Sequence, residues 1–236
     1  MESNVIIEAE HVEFAYTKNQ KVLKDVTFKA KTGEIVGILG ENGSGKSTLL
    51  KILVGILKED RGKIQLYGTL GYCPQEILLF DYLTVTENLE LFGAGMGLSK
   101  QFLSERTKEL MKLLNFEKYE NELVRNLSEG TKQKVNFAIS ILHDPDILLL
   151  DEPYQGFDYD TFQRFWELQG KLRQRGKTVL IVSHLIEDRS RLDKTVTLRN
   201  GFSMPCDPDC TCSSCLQLRR RRIATGSAVS EERESE

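Results

Sequence analysis

No stretch of the 236-residue chain approaches the roughly 20 consecutive apolar residues that a bilayer-crossing helix needs. The longest candidates, residues 147–150 and 178–182, are strand-sized, so no membrane span is expected. The opening residues, MESNVIIEAE, are acidic and lack an apolar core segment and a small-residue cleavage site. A secretory signal is therefore not expected, and the expected setting is cytosolic. With only 5 prolines beside 18 glycines the chain is neither collagen-like nor wholly disordered. There is no excess of positive charge: 32 Lys and Arg stand against 35 Asp and Glu, a net charge of −3. Global attraction to nucleic acid is thereby excluded, and no sequence-specific nucleic acid is expected as a partner. Cysteine is sparse in most of the chain, where Cys73 stands alone. The other four, Cys206, Cys210, Cys212 and Cys215, crowd one short segment. In a reducing compartment that pattern points to thiol or metal chemistry rather than to disulfides. No internal repeat is evident.

What is present is a globular composition, 40% hydrophobic and 28% charged, in a length that suits one compact domain with appendages. Residues 5–16 and 22–30 favour extended structure, with Val12, Phe14 and Tyr16 alternating with polar neighbours, which predicts an antiparallel pair. Residues 35–39 are a short continuous apolar run, as in a strand buried on both faces, and residues 146–150 and 177–182 look like further buried strands. Helical patterns follow at 49–57 and 161–175, so strand and helix alternate around a mainly parallel sheet. Between residues 81 and 127 the strand pattern disappears. Leu103, Leu110, Leu113 and Leu114 there mark one face of a helix, which predicts a helical insert. Beyond Gly201 the composition shifts to the Cys segment, the run Arg219 to Arg222 and a polar acidic end, so the folded domain is expected to span 1–204 and the tail 205–236.

Residues 40–48 read GENGSGKST and satisfy GxxxxGKS between a strand and a helix. Gly40 opens the loop, and Gly43 and Gly45 let successive backbone N–H groups curl into an anion-binding nest, to which the helix N-terminus adds its dipole. Asn42 and Ser44 fill the loop, Lys46 supplies a point charge for the outer phosphates, and Ser47, followed by Thr48, is the expected Mg²⁺ ligand. Asp151 closes an apolar strand, where an unpaired carboxylate is costly, so a metal role is expected. Glu152 is adjacent to it, and two carboxylates beside a triphosphate repel unless a cation intervenes.

The order of motifs resembles the nucleotide-binding subunit of an ABC transporter over about residues 5 to 203. Tyr16, the phosphate loop, Gln75 in YCPQ, residues 127–133 (LSEGTKQ) and the run ILLLDEP appear in the family's order. The resemblance implies an α/β P-loop NTPase of ABC type, with a mainly parallel sheet core, an N-terminal antiparallel β part and an α-helical insert at about 81–127. It implies ATP and Mg as cofactors. Tyr16 would stack on adenine, Gln75 would join Ser47 and Asp151 around Mg²⁺, Glu152 would be the base for the attacking water, Asp158 would lie in the D-loop, and His184 would be the switch histidine. With Lys46 and Gln75, Glu152 and His184 form the expected catalytic set. Ser128 and Gly130 would act in trans on ATP bound by a partner subunit. Taken singly, Tyr16 also reads as a sheet-surface aromatic, and His184 as a polar strand cap.

Two departures stand out. The family segment LSGGQ carries Glu129 for a glycine and Thr131 for the glutamine, which places a negative charge where a γ-phosphate would approach unless Glu129 turns to solvent. The interval from Lys46 to Gln75 is also short, which predicts a trimmed connection. Outside the resemblance, Cys206, Cys210, Cys212 and Cys215 suit a tetrahedral Zn²⁺ or an iron–sulfur cluster by residue type, without a familiar finger spacing. Exposed reduced thiols and redox sensing are the other readings. The arginine run suits anionic lipid head groups or plain solvation.

The function these features predict is an ATP-hydrolysing subunit that pairs as a homodimer or heterodimer and powers a separate integral membrane permease, with export as the expected direction. Its place would be cytoplasmic, peripheral on the inner face of the cell membrane, with the permease docking near residues 81–116. The rival readings are a soluble ATPase of the same type that remodels a non-membrane partner, such as an iron–sulfur scaffold, and a nucleotide-gated interaction subunit that hydrolyses poorly.

Overall fold

The computed structural model describes residues 4–182 and 191–205. His184 and the cysteine and arginine tail lie outside these described residues, and the compact unit extends to Pro205. Strands β1 (Val5–Ala15) and β2 (Lys21–Lys31) form the expected antiparallel pair, with Ala9 opposite Phe28 and Val12 opposite Val26. The buried set Ile7, Ala9, Val12 and Phe14 shows why the run is a strand with one face in the core.

The central strands β3 (Ile35–Leu39), β6 (Ile147–Asp151) and β7 (Thr178–Val182) are buried along their whole length. Their alternate residues feed two different cores. Val36, Ile38, Ile147, Leu149, Leu180 and Val182 face one, whereas Ile35, Leu148, Leu150, Val179 and Ile181 face the other. A parallel strand covered on both sides needs an unbroken apolar run, which is what the sequence supplies.

Helix α1 (Lys46–Leu53) starts directly at Lys46, three residues before the expected run, and stops earlier, because Val54 caps it and Gly55 takes a left-handed φ of 84°. Strand β4 (Arg61–Leu66) pairs with β1, and β5 (Leu70–Cys73) pairs with β6. These two strands fill the short interval to Gln75. They are the opposite edges of a nine-stranded sheet ordered β4-β1-β2-β9-β8-β3-β7-β6-β5, where β8 is Lys194–Arg199 and β9 is Phe202–Pro205. Laid flat, such edges would be about 38 Å apart, yet the chain from Leu66 to Leu70 reaches at most about 14 Å. The sheet must therefore curl. It curls around α1, whose Leu49, Leu50, Ile52 and Leu53 share a core with β1, β2, β3, β6, β7 and β8.

The outer face of the parallel strands is covered by helices. Within the expected insert lie α2 (Val85–Gly95), opened by a Thr84 and Glu87 capping box, and α3 (Lys100–Leu113), capped by Ser99. Two 3-10 turns, Glu117–Tyr119 and Val124–Asn126, lead to α4 (Glu129–Ser140). Arg106 on α3 is nearly buried and donates to the Ile141 carbonyl at 3.1 Å, placing a cation at the C-terminal end of α4. Helix α5 (Tyr159–Gln174) completes this layer. Among the described residues no helix is long and apolar enough to cross a membrane.

Candidate functional site

The chain leaves β3 at Leu39 and enters α1 at Lys46 through a loop held by glycine. Gly45 is the N-cap of α1, with φ 100° and no side-chain cap, so the first N–H groups of the helix are not claimed by a capping side chain. A Cβ at Gly45 would come within 2.7 Å of Leu23, and one at Gly40 within 2.5 Å of the Leu198 carbonyl. The loop is thus packed tightly onto β2 and β8 from behind. Lys46 is buried and spans its own loop, donating to the Gly40 carbonyl at 2.9 Å and the Glu41 carbonyl at 3.0 Å. Asn42 and Gly43 are exposed on the open side, and the hydroxyl of Ser44 is buried without a partner.

Asp151 ends β6 with its side chain buried. Burial raises its carboxyl above the usual range, with the charge of Glu152 adding to the effect, while a hydrogen bond from Ser47 and the charges of Lys46 and Lys51 oppose it. Its Oδ1 has no hydrogen-bond partner. A buried, unpaired carboxylate oxygen beside a serine hydroxyl is the donor chemistry of a hard cation, and it supports Mg²⁺ at this point. The same field, after burial, pushes the Tyr72 phenol up to about 12.

Glu152 follows in a left-handed conformation, φ 50°, with its N–H donated to the Val182 carbonyl at 3.1 Å. A non-glycine residue in that region is strained by about 1–3 kcal/mol. The turn sends Glu152 away from the line of β6 while Asp151 stays in the strand. Tyr16 is half-exposed. Its hydroxyl lies 3.2 Å from that of Thr48 on α1, and its ring stands edge-on to Phe14 at 5.0 Å, which leaves an aromatic face beside the phosphate loop.

The remaining expected residues lie on neighbouring loops. Gln75 is exposed just beyond β5. Ser128 caps α4, accepting from the Thr131 N–H at 3.3 Å and meeting the Thr131 hydroxyl at 2.9 Å. The side chain of Glu129 is 78% exposed and pairs with Lys132 at 3.3 Å, so its charge is turned to solvent and partly neutralised. Asp158 caps α5 by accepting from the Thr161 N–H at 2.7 Å, and that bond holds its carboxyl below the usual range.

Gly130 has a role that its sequence position does not reveal. A Cβ there would come within 2.4 Å of the Gly156 carbonyl, so the start of α4 rests on the turn that follows Glu152. Gly130→Ala is expected to strain that contact by about 1–3 kcal/mol and to lower the melting temperature by several degrees. An unchanged melting curve would show that the turn yields freely. Two polar residues to which the sequence assigns no role of their own, Gln133 and Asn136, are buried on the same helix. Gln133 donates to the Pro153 carbonyl at 3.2 Å and Asn136 to the Pro74 carbonyl at 3.1 Å. Their three-residue spacing on a polar-looking helix is the one available signal.

A strand running into a glycine loop and helix, a buried lysine across the loop and a buried carboxylate ending a parallel strand define a phosphate-loop nucleoside triphosphatase. The model of the ABC transporter family matches residues 23–155. An ABC transporter ATP-binding protein of Methanocaldococcus jannaschii is 35% identical over 79% of this chain and 71% of its own length. The ABC transporter ATP-binding protein NatA of Bacillus subtilis is 35% identical over 77% of this chain and 79% of its own. Among solved structures, an ATP-binding subunit of an ABC transporter superposes with a TM-score of 0.81 at 27% identity, covering 92% of both chains. A dimeric ATP-binding cassette bound to ADP and Pi superposes with a TM-score of 0.77 at 27% identity, covering 84% of this chain and 96% of that one. The chain belongs to the ABC transporter family and is an ATPase subunit of its ATP-binding type.

Proposed function

We propose that the chain binds MgATP at the phosphate loop, pairs with a second copy of itself and drives a separate membrane permease. The observation that carries the reading is the buried, unpaired Asp151 Oδ1 beside Ser47, next to a loop spanned by a buried lysine. Lys46 and the uncapped N–H groups of α1 take the outer phosphates, an arrangement that neutralises charge without moving the backbone. Ser47, Asp151 and Gln75 would hold Mg²⁺, which supplies charge neutralisation to the phosphate oxygens. Glu152 orients and deprotonates the attacking water, and Tyr16 offers its free face to adenine. His184, outside the described residues, would act with Gln75 on the γ-phosphate, as the family resemblance implies. Ser128 and Gly130 contribute to the nucleotide of the second copy, and Asp158 lies on the loop between the two. The dimeric cassette with ADP and Pi supports this pairing.

The permease would meet the segment that follows Gln75: Leu78, Phe80 and Tyr82 on the loop after β5, Leu91 on α2 and Phe102 on α3 are exposed apolar side chains, of the kind that suit a helix presented by a membrane subunit. The relative CbiO1 of Clostridium perfringens, matched with a TM-score of 0.74 at 26% identity over 85% of this chain and 87% of that one, is part of the transporter complex cbiONQ. The test is purification of the full chain from membranes in mild detergent. A multi-spanning protein should accompany it at a fixed ratio, and the chain should sit at the inner face of the membrane. Recovery with soluble proteins alone would contradict the permease.

A further inference from the structure

Asn136 sits in the third turn of α4 and is 4% exposed. Its amide nitrogen donates to the Pro74 carbonyl at 3.1 Å and approaches Cys73 Sγ at 3.5 Å. The Pro74 carbonyl belongs to the peptide unit whose N–H is that of Gln75, and the peptide is planar, so holding the oxygen fixes the direction in which the chain enters Gln75. Proline has no N–H to anchor the segment in another way. The second contact to that carbonyl, from Cys73 Sγ at 4.0 Å, is too long to orient it. Gln75 is itself exposed, so its placement depends on the backbone that precedes it.

We propose that Asn136 is a positioning residue for ATP hydrolysis, which acts by fixing the Pro74 to Gln75 peptide and through it the Gln75 side chain. The inference rests on the reading of Gln75 as part of the hydrolytic site. Helix α4 gives it a wider consequence. The same helix is capped by Ser128, rests Gly130 on the Gly156 turn and holds the Pro153 carbonyl through Gln133. One rigid element therefore carries the segment expected to meet the second copy and grips both loops that flank the nucleotide of its own chain.

The test uses the full chain with Asn136→Leu and Asn136→Asp. Both keep the branched shape, and neither carries an N–H donor for the carbonyl. The Leu variant adds no buried charge and so reports the loss of the donor even where the Asp variant fails to fold. Turnover is expected to fall about 10- to 100-fold, with ATP affinity preserved because the phosphate loop is untouched. In combination with Gln75→Ala, neither variant should be slower than Gln75→Ala alone, since both act through one side chain. Parental turnover in a folded Leu variant would overturn the proposal, as would losses that multiply in the double variant or loss of fold in both single variants. Parental turnover in Gln75→Ala would instead overturn the reading of Gln75, and this inference with it.

Discussion

Glu152→Gln is expected to bind ATP with nearly parental affinity and to hydrolyse it about 10²–10⁴-fold more slowly, the range that a general base contributes. The amide keeps the shape of the side chain and its hydrogen-bonding reach, so the left-handed turn after β6 should survive with its N–H still on Val182. What is lost is the group that accepts a proton from water. Phosphate release under saturating MgATP, with bound nucleotide measured in parallel, separates the two properties. Parental release would remove Glu152 from the mechanism. A fall in binding equal to the fall in rate would assign it to the cation site instead.

The second large effect is expected at Lys46. Its ammonium is buried across the loop on the Gly40 and Glu41 carbonyls, and the side chain provides the one cationic group that the described residues place inside the phosphate loop. Lys46→Ala should weaken ATP binding about 10- to 100-fold, the equivalent of a lost charge-assisted hydrogen bond of about 1.5–3 kcal/mol. Two loop carbonyls also lose their donor, so the effect on affinity should exceed that of Glu152→Gln. A nucleotide titration that gives an unchanged dissociation constant would contradict the role assigned to the loop.

The parts of the fold that were legible in the sequence share a physical cause. Strands β3, β6 and β7 are covered on both faces, and burial on both faces demands the continuous apolar runs that mark them. The phosphate loop was legible because its glycines and lysine answer to a single steric and electrostatic requirement. The start of α1 was hidden, since its first turn is Lys46, Ser47 and Thr48, polar residues that carry no apolar helical pattern. Strand β4, with Gly62 and exposed Lys63, is an edge and carries little pattern. The β8 and β9 hairpin had a usable signal in Asn200 and Gly201, both at positive φ, the residue pair that a tight hairpin turn selects.

The site divides in the same way. Asp151 could be singled out because a carboxylate at the end of a buried strand is expensive without a partner. The positive φ of Glu152, the packing of Gly130 on Gly156 and the two buried amides of α4 leave no such mark. They depend on loops from distant parts of the chain meeting one helix, and an asparagine in a helix ordinarily reads only as a poor helix former.

Two copies are expected to close around ATP, with Ser128 and Gly130 of each completing the other copy's site. Sedimentation of the full-length Glu152→Gln chain with and without MgATP tests this most directly, since slow hydrolysis preserves the nucleotide that holds the copies together. The expected result is a monomer without nucleotide and a species of twice the mass with MgATP, abolished by adding Lys46→Ala. A chain that binds MgATP and sediments as a monomer throughout would contradict it.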